Sequence, residues 1–299
     1  MNSHCLALSS LITLFFFLTI LPPSYSNAVE YFVECSRPLD CGWIKNIPYP
    51  FWGGNRPETC GIQGFELTCR DNEYPYPIIS FEELEFLVLN INQSHHIMTI
   101  ARLDLWKSPC LPKLDNTSLD FNNFDYITPA DLNQTLFYNC TSRVRGLDGA
   151  YFSCPLGGVG ATGNTANYLV DEFSPKIPEL LKECNTSIRV PILRTALIGA
   201  HVVGGSLALT KVLNQGFGVD YPNALSIPCW GCVASGGICS SPSSPEPFVC
   251  FCRDGEHPSV CLSNGMHARF SSHFWIRLKH IFLVLCLVFL VYSSHNFIV

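Results

Sequence analysis

The sequence predicts a mainly β, disulfide-rich, two-module secreted ectodomain with irregular loops. Three observations carry that expectation. The first is an N-terminal apolar run, Leu11 to Leu21, broken by Pro22 and Pro23 and followed by Ser24-Tyr25-Ser26. That is the order of a signal-peptide core and a small-x-small cleavage site, and the run is short against the ~20 apolar residues of a membrane span. The second is cysteine arithmetic. Of sixteen cysteines, Cys5 leaves with the signal peptide and Cys286 falls in a C-terminal apolar segment, so an even set remains for an oxidising compartment. The third is a series of short strand-like runs: Phe65-Glu66-Leu67-Thr68-Cys69 alternates, and Phe86 to Ile91 and Ile97 to Ala101 flank a polar turn.

Taken in order, residues 1–26 form the signal peptide and the mature chain starts near Asn27. A first module, 27–190, holds Cys35, Cys41, Cys60, Cys69, Cys110, Cys140, Cys154 and Cys184; a second, 191–262, holds Cys229, Cys232, Cys239, Cys250, Cys252 and Cys261. Each set is even, so all are expected in disulfides within their own set, with connectivity left open. Pro48 and Pro50 push Ile47 and Tyr49 toward extended backbone, and Gly53-Gly54 permits a sharp exit. The runs on either side of Asn92-Gln93-Ser94-His95 predict a hairpin. Further on, Leu209, Val212 and Leu213 share one helical face and Gly216 supplies a stop, which predicts a short helix. Ser240 to Pro247 is a loop inside the second module. In the last segment, 263–299, the twelve apolar residues from Ile281 to Tyr292 follow a polar spacer with Ser263-Asn264-Gly265 and Ser271-Ser272. This fits a lipid-anchor signal, with a single-pass anchor as the alternative.

Charge gives no support to a nucleic-acid role, and no nucleic-acid partner is expected. Between Asn27 and Cys261 there are 15 Lys and Arg against 24 Asp and Glu, a net of −9 without a basic run, whereas a phosphate-tracking surface needs clustered cations. Catalytic patterns are equally absent. Gly158-Val159-Gly160-Ala161-Thr162-Gly163 has dinucleotide-binding spacing but follows Cys154-Pro155 and precedes a polar run, so it reads as a loop. Cys229-Trp230-Gly231-Cys232 has redox or zinc spacing, yet in a secreted chain disulfides are the expected fate. Glu82-Glu83-Leu84-Glu85 reads as a solvated edge. No catalytic residue and no metal ligand set is expected. Five sequons, at Asn92, Asn116, Asn133, Asn139 and Asn185, mark N-glycosylation sites on the first module. None lies between Cys35 and Asn90, which leaves that stretch the least covered by glycan.

Within it, residues 41–61 read CGWIKNIPYPFWGGNRPETCG. The aromatic block is either the centre of a stapled core or a ligand surface. Trp43 and Phe51 are expected to pack as core, Tyr49 and Trp52 to be partly exposed. Cys35, Cys41-Gly42, Ile47-Pro48-Tyr49-Pro50-Phe51-Trp52, Pro57, Cys60-Gly61 and the run ending at Cys69 resemble the galacturonan-binding ectodomain of plant wall-associated and leaf-rust-resistance-type receptor-like kinases. Val190-Pro191, Gly216-Phe217, Cys229, Cys232, Ser235-Gly236-Gly237, Cys239 and Phe248-Val249-Cys250-Phe251-Cys252 resemble that family's C-terminal module. Tyr221 stands where the family usually has tryptophan, Ser240 replaces a glycine, and the chain reaches Val299 without a kinase.

The resemblance implies non-catalytic binding of acidic cell-wall polysaccharide, pectin or galacturonan, at the extracellular face of the plasma membrane or in the wall, with a C-terminal membrane anchor. The aromatic faces of Trp43, Tyr49, Phe51 and Trp52 are the candidate stacking surface. A net of −9 repels polygalacturonate, so a local cation patch, with Lys45 and Arg56 nearest in sequence, or a bridging calcium is required. No other cofactor is expected. The alternative is a kinase-less receptor or decoy acting through protein contacts, with receptor-like kinases among its partners.

Overall fold

Short strands separated by glycine and asparagine turns pair antiparallel, as the alternating runs require. A computed structural model describes residues 25–70, 75–106, 108–110, 112–127, 130–154, 166–200, 205–222, 227–241 and 248–262. The signal-peptide core, the Gly158–Gly163 loop, residues 242–247 of the Ser240–Pro247 loop and the expected anchor segment 263–299 lie outside them. Among the described residues no helix is long and apolar enough to cross a membrane.

Helix α1 (Tyr25–Cys35), which runs across the expected chain start near Asn27, leads into a small hairpin of β1 (Leu39–Cys41) and β2 (Ile44–Ile47). The main sheet has six strands in the order β3 (Thr68–Arg70), β4 (Tyr76–Phe81), β5 (Leu84–Asn92), β6 (Ile97–Arg102), β12 (Phe217–Asp220) and β7 (Asp125–Tyr126). The expected hairpin is β5–β6, in register from Asn92↔Ile97 to Phe86↔Arg102 with a bulge near Val88. Phe86, Val88, Met98 and Ile100 are buried on it, which fixes the register because a one-residue slip would turn them to water. A second sheet runs β11 (Cys184–Leu193), β8 (Asp131–Cys140), β10 (Ala166–Asp171), β9 (Tyr151–Phe152). Helices α2 (Ile177–Glu183), α3 (Arg194–Ala200) and α4 (Gly205–Leu213) flank it. The last elements are α5 (Ile227–Ala234) and a three-stranded sheet of β13 (Ile238–Ser240), β14 (Val249–Cys252) and β15 (Gly255–His257).

The expected helix is α4, with Leu209, Val212 and Leu213 buried against Leu136, Tyr138 and Ile188 of the second sheet. Gly216 follows at φ +67, where a Cβ would sit 2.1 Å from the Ile100 carbonyl oxygen. Only glycine fits there. The core under the main sheet is aromatic: Phe51 meets Phe65 and Tyr221 edge-on at 5.4 and 5.6 Å, and Phe65 meets Phe124 at 4.8 Å.

Among the described residues seven disulfides join Cys35–Cys60, Cys41–Cys69, Cys110–Cys154, Cys140–Cys184, Cys229–Cys239, Cys232–Cys250 and Cys252–Cys261. Every bridge stays within one of the two sets, and Cys229 and Cys232 do not pair with each other. The division of the fold is different from the expected boundary at 190/191. That point falls inside β11, and β12, from the second segment, lies within the main sheet. The backbone groups on the outer edge of β6 need a partner, and Phe217 and Val219 bring buried side chains with it. The N-terminal helix also reaches the last sheet, where the Tyr31 ring stacks on Phe251 at 5.4 Å. Asp131, at the start of β8, joins the two large sheets by accepting a hydrogen bond from the Gly218 amide at 3.2 Å.

Candidate functional site

Where the hairpin end of the main sheet faces α5, an open cleft of about 800 Å³ remains. One wall is the chain after α1 and through β2, including Arg37, Asn46, Ile47 and Tyr49; the floor includes Arg56 and Tyr221. The β5–β6 turn contributes Gln93, Ser94 and His96, and α5 contributes Ile227, Trp230 and Val233. These three lie at i, i+3 and i+6 on one helical face. All are exposed, Trp230 at 78%.

Among the described residues of this lining Arg37 and Arg56 carry charge, His96 stands beside them, and there is no carboxylate. Arg56 is 7% exposed. Its place follows from Gly53, at φ +128, whose amide donates to the Arg56 carbonyl at 2.9 Å while the Arg56 amide donates back at 3.0 Å. The guanidinium Nη1 donates to the Ile47 carbonyl at 3.1 Å, and the buried Nε has no hydrogen-bond partner. Burial lowers its pKa from the usual arginine value, although a guanidinium stays charged at any physiological pH. Tyr49 is half-buried, edge-on to Phe248 at 6.1 Å. Burial pushes its phenol up to about 12, partly offset by a hydrogen bond with Ser241. His96, at φ +56, stands perpendicular to Tyr221 at 5.6 Å.

Of the six residues expected to bind ligand, Tyr49 and Arg56 line the cleft and the other four do not. Phe51 is fully buried, as its core reading required, and packs edge-on beneath Tyr221 of the lining. Trp43 is corrected: it is 50% exposed and stacks on Tyr76 at 6.5 Å. Gly42, at φ +57, makes the β1–β2 turn and puts Trp43 at its tip, away from the core. Trp52 is half-buried as expected, but its indole nitrogen donates to the Ile62 carbonyl at 2.8 Å and the ring rests on Gly61. Lys45 faces Asp40 at 3.9 Å on the outer side of the hairpin.

Trp230, Arg37, His96 and Tyr221 were missed as site residues. The usable signal was a tryptophan between two cysteines: with both neighbours tethered to other strands, a large ring there has little freedom to turn inward. The sequons also need correction in space. Asn116, Asn133 and Asn185 are exposed and Asn139 is half-buried, but Asn92 ends β5 at the turn that lines the cleft. Its Oδ1 accepts from the Ser94 hydroxyl at 3.1 Å and the His95 amide at 3.3 Å. Tyr49, from the block that looked farthest from glycan in sequence, therefore shares its cleft with Gln93 and Ser94 of the first sequon. Cys250, Cys252 and Cys261, and Cys252 with Asp254 and His257, cluster closely enough to suggest metal ligands. All three cysteines are in disulfides, so no thiolate is available for a metal.

Fold and cleft together define a disulfide-stapled, mainly β binding-type module. Residues 35–102 match the model of the wall-associated receptor kinase galacturonan-binding domain, and residues 154–255 that of the wall-associated receptor kinase C-terminal domain. Among curated relatives, leaf rust 10 disease-resistance locus receptor-like protein kinase-like 2.1 of Arabidopsis thaliana is 26% identical over 259 residues, which cover 85% of this chain and 39% of the relative. The kinase-like 1.2 protein of the same plant is 28% identical over 261 residues, 85% of this chain and 37% of the relative. The kinase-like 2.4 protein is 33% identical over 181 residues, 59% and 27%. The chain thus spans well under half the length of these relatives. No solved structure matches it. The chain belongs to the galacturonan-binding, receptor-like ectodomain family of wall-associated and leaf-rust-resistance-type receptor-like kinases, and its disulfides and family accord with an extracellular or cell-surface location.

Proposed function

We propose that this ectodomain is a non-catalytic binding module for acidic cell-wall polysaccharide, with de-esterified galacturonan as the ligand class. One observation carries the reading. In a chain whose mature part has a net charge of −9, this open cleft is lined, among the described residues, by Arg37, Arg56 and His96 and by no carboxylate. A uniformly acidic surface would repel polygalacturonate, and a local cationic cleft focuses attraction where the ligand must sit. Each charge-assisted hydrogen bond from an arginine to a uronate contributes about 1.5–3 kcal/mol. The proton-transfer pairs that glycoside hydrolysis needs have no counterpart in this lining.

Titration calorimetry of the glycosylated ectodomain with oligogalacturonides tests this. Binding is expected to weaken with added salt, to be lost on methyl-esterification, and to be absent for neutral galactan. The same titration with a chelator decides whether calcium bridges the two anions. Equal affinity for the methyl-esterified ligand, or no affinity for either form, overturns the reading.

A further inference from the structure

The galacturonan-binding family model ends at residue 102, but the cleft does not. Its opposite wall is α5, residues 227–234, inside the segment matched by the C-terminal model. We infer that the uronate site is shared between the two matched segments. The carboxylate docks at Arg56, flanked by Arg37 and His96, and the apolar face of the sugar lies on Trp230. This rests on the acidic-polysaccharide reading above and adds the second half of the site.

Several features point to this occupant. The Arg56 Nε is buried without a partner beneath the cleft, and a buried donor of that kind favours an anionic acceptor. A pyranose ring has one face rich in C–H groups, and the negative face of an indole complements them. Trp230 offers such a face to water at 78% exposure, within the same lining as the cations. Its backbone is held on both sides: Cys229 is bridged to Cys239 of β13, and Cys232 to Cys250 of β14. A platform fixed in this way loses little conformational freedom on binding. Ile227 and Val233 extend the apolar strip along α5. A hydrophobic protein partner would fill that strip but offer nothing to the partnerless Arg56 Nε, so an alternating anionic and apolar ligand fits the cleft better.

The test uses the full ectodomain with a defined oligogalacturonide. Trp230→Ala is expected to weaken binding about tenfold or more, the scale of one lost stacking platform, with melting temperature unchanged because the ring is exposed. Trp230→Phe is expected to retain most of the affinity. In the wild type, ligand should quench tryptophan fluorescence, and Trp230→Phe should abolish that component. If the wild type binds and Trp230→Ala binds equally well, the inference is overturned and the proposed function stands. Loss of a dimer in sedimentation on Trp230→Ala, with uronate affinity intact, would also overturn it by assigning the strip to self-association. If the wild type itself fails to bind, the proposed function falls first.

Discussion

Asp131 should make this ectodomain more stable in mild acid than at neutral pH. Its Oδ1 accepts from the Gly218 amide, while Oδ2 is buried without a partner. Burial pushes its pKa up to about 6, and the Gly218 and Ile127 amides only partly oppose this. In the unfolded chain the same carboxyl titrates near ~3.9. The folded state therefore holds the proton more tightly, so the contribution to stability is complete below about pH 4 and is lost as pH rises through about 6. At roughly 1.4 kcal/mol per pKa unit the ceiling is about 3 kcal/mol, and partial contact with water reduces it to about 1–1.5 kcal/mol. Asp131→Asn isolates the effect. The amide oxygen still accepts from Gly218, and its nitrogen adds an offset that does not vary with pH. Denaturant melts of both proteins at pH 4 and pH 7.5 should show the gap between them moving by about 1–1.5 kcal/mol in favour of the variant at the higher pH. Contributions from groups such as Glu183, whose pKa is lowered by the Thr141 and Ser142 hydroxyls, cancel in this difference. A gap that does not change with pH would refute the reasoning.

Two further outcomes are expected. Trp52→Ala should cost about 2–4 kcal/mol in urea melts, since it removes a packed ring and the donor to Ile62, whereas Trp43→Ala should cost under about 1 kcal/mol because its ring stands at an exposed turn; equal costs would contradict the burial described. Replacing Cys229 and Cys239 together with alanine should destabilise by about 2–4 kcal/mol, raise amide exchange in α5 and β13, and weaken oligogalacturonide binding, while exchange in the β5–β6 hairpin stays at the wild-type level.

The elements legible in the sequence are those whose signal is local. The β5–β6 hairpin follows from two apolar runs around Asn92-Gln93-Ser94-His95, and α4 from the spacing of Leu209, Val212 and Leu213 before Gly216. Phe51 and Tyr49 were also readable, the one as core and the other as partly exposed, because prolines fix the backbone on either side. Trp43 was not, since its fate turns on the left-handed Gly42 beside it and not on its own hydrophobicity. The cleft was least legible. Arg37, Arg56, His96 and Trp230 come from four stretches that only non-local pairing brings together, and no periodicity encodes the insertion of β12 beside β6. The sequence separates the sequons from the aromatic block by tens of positions, whereas folding brings Gln93 and Ser94 of the first sequon into the same lining as Tyr49.

The place of β12 in the main sheet also imposes an order in time. As the chain is synthesised, β5 and β6 emerge early, but the strand that completes the β6 edge does not exist until residues 217–220 have been made. For that whole interval the hairpin presents an open row of amides and carbonyls beside Met98 and Ile100, a template on which another copy can pair. An N-glycan on Asn92 would be attached at the head of this hairpin while its flank is still bare, and so would act first as a guard for the nascent chain and only later as a neighbour of the ligand. A fragment cut after residue 102 would never leave that exposed state.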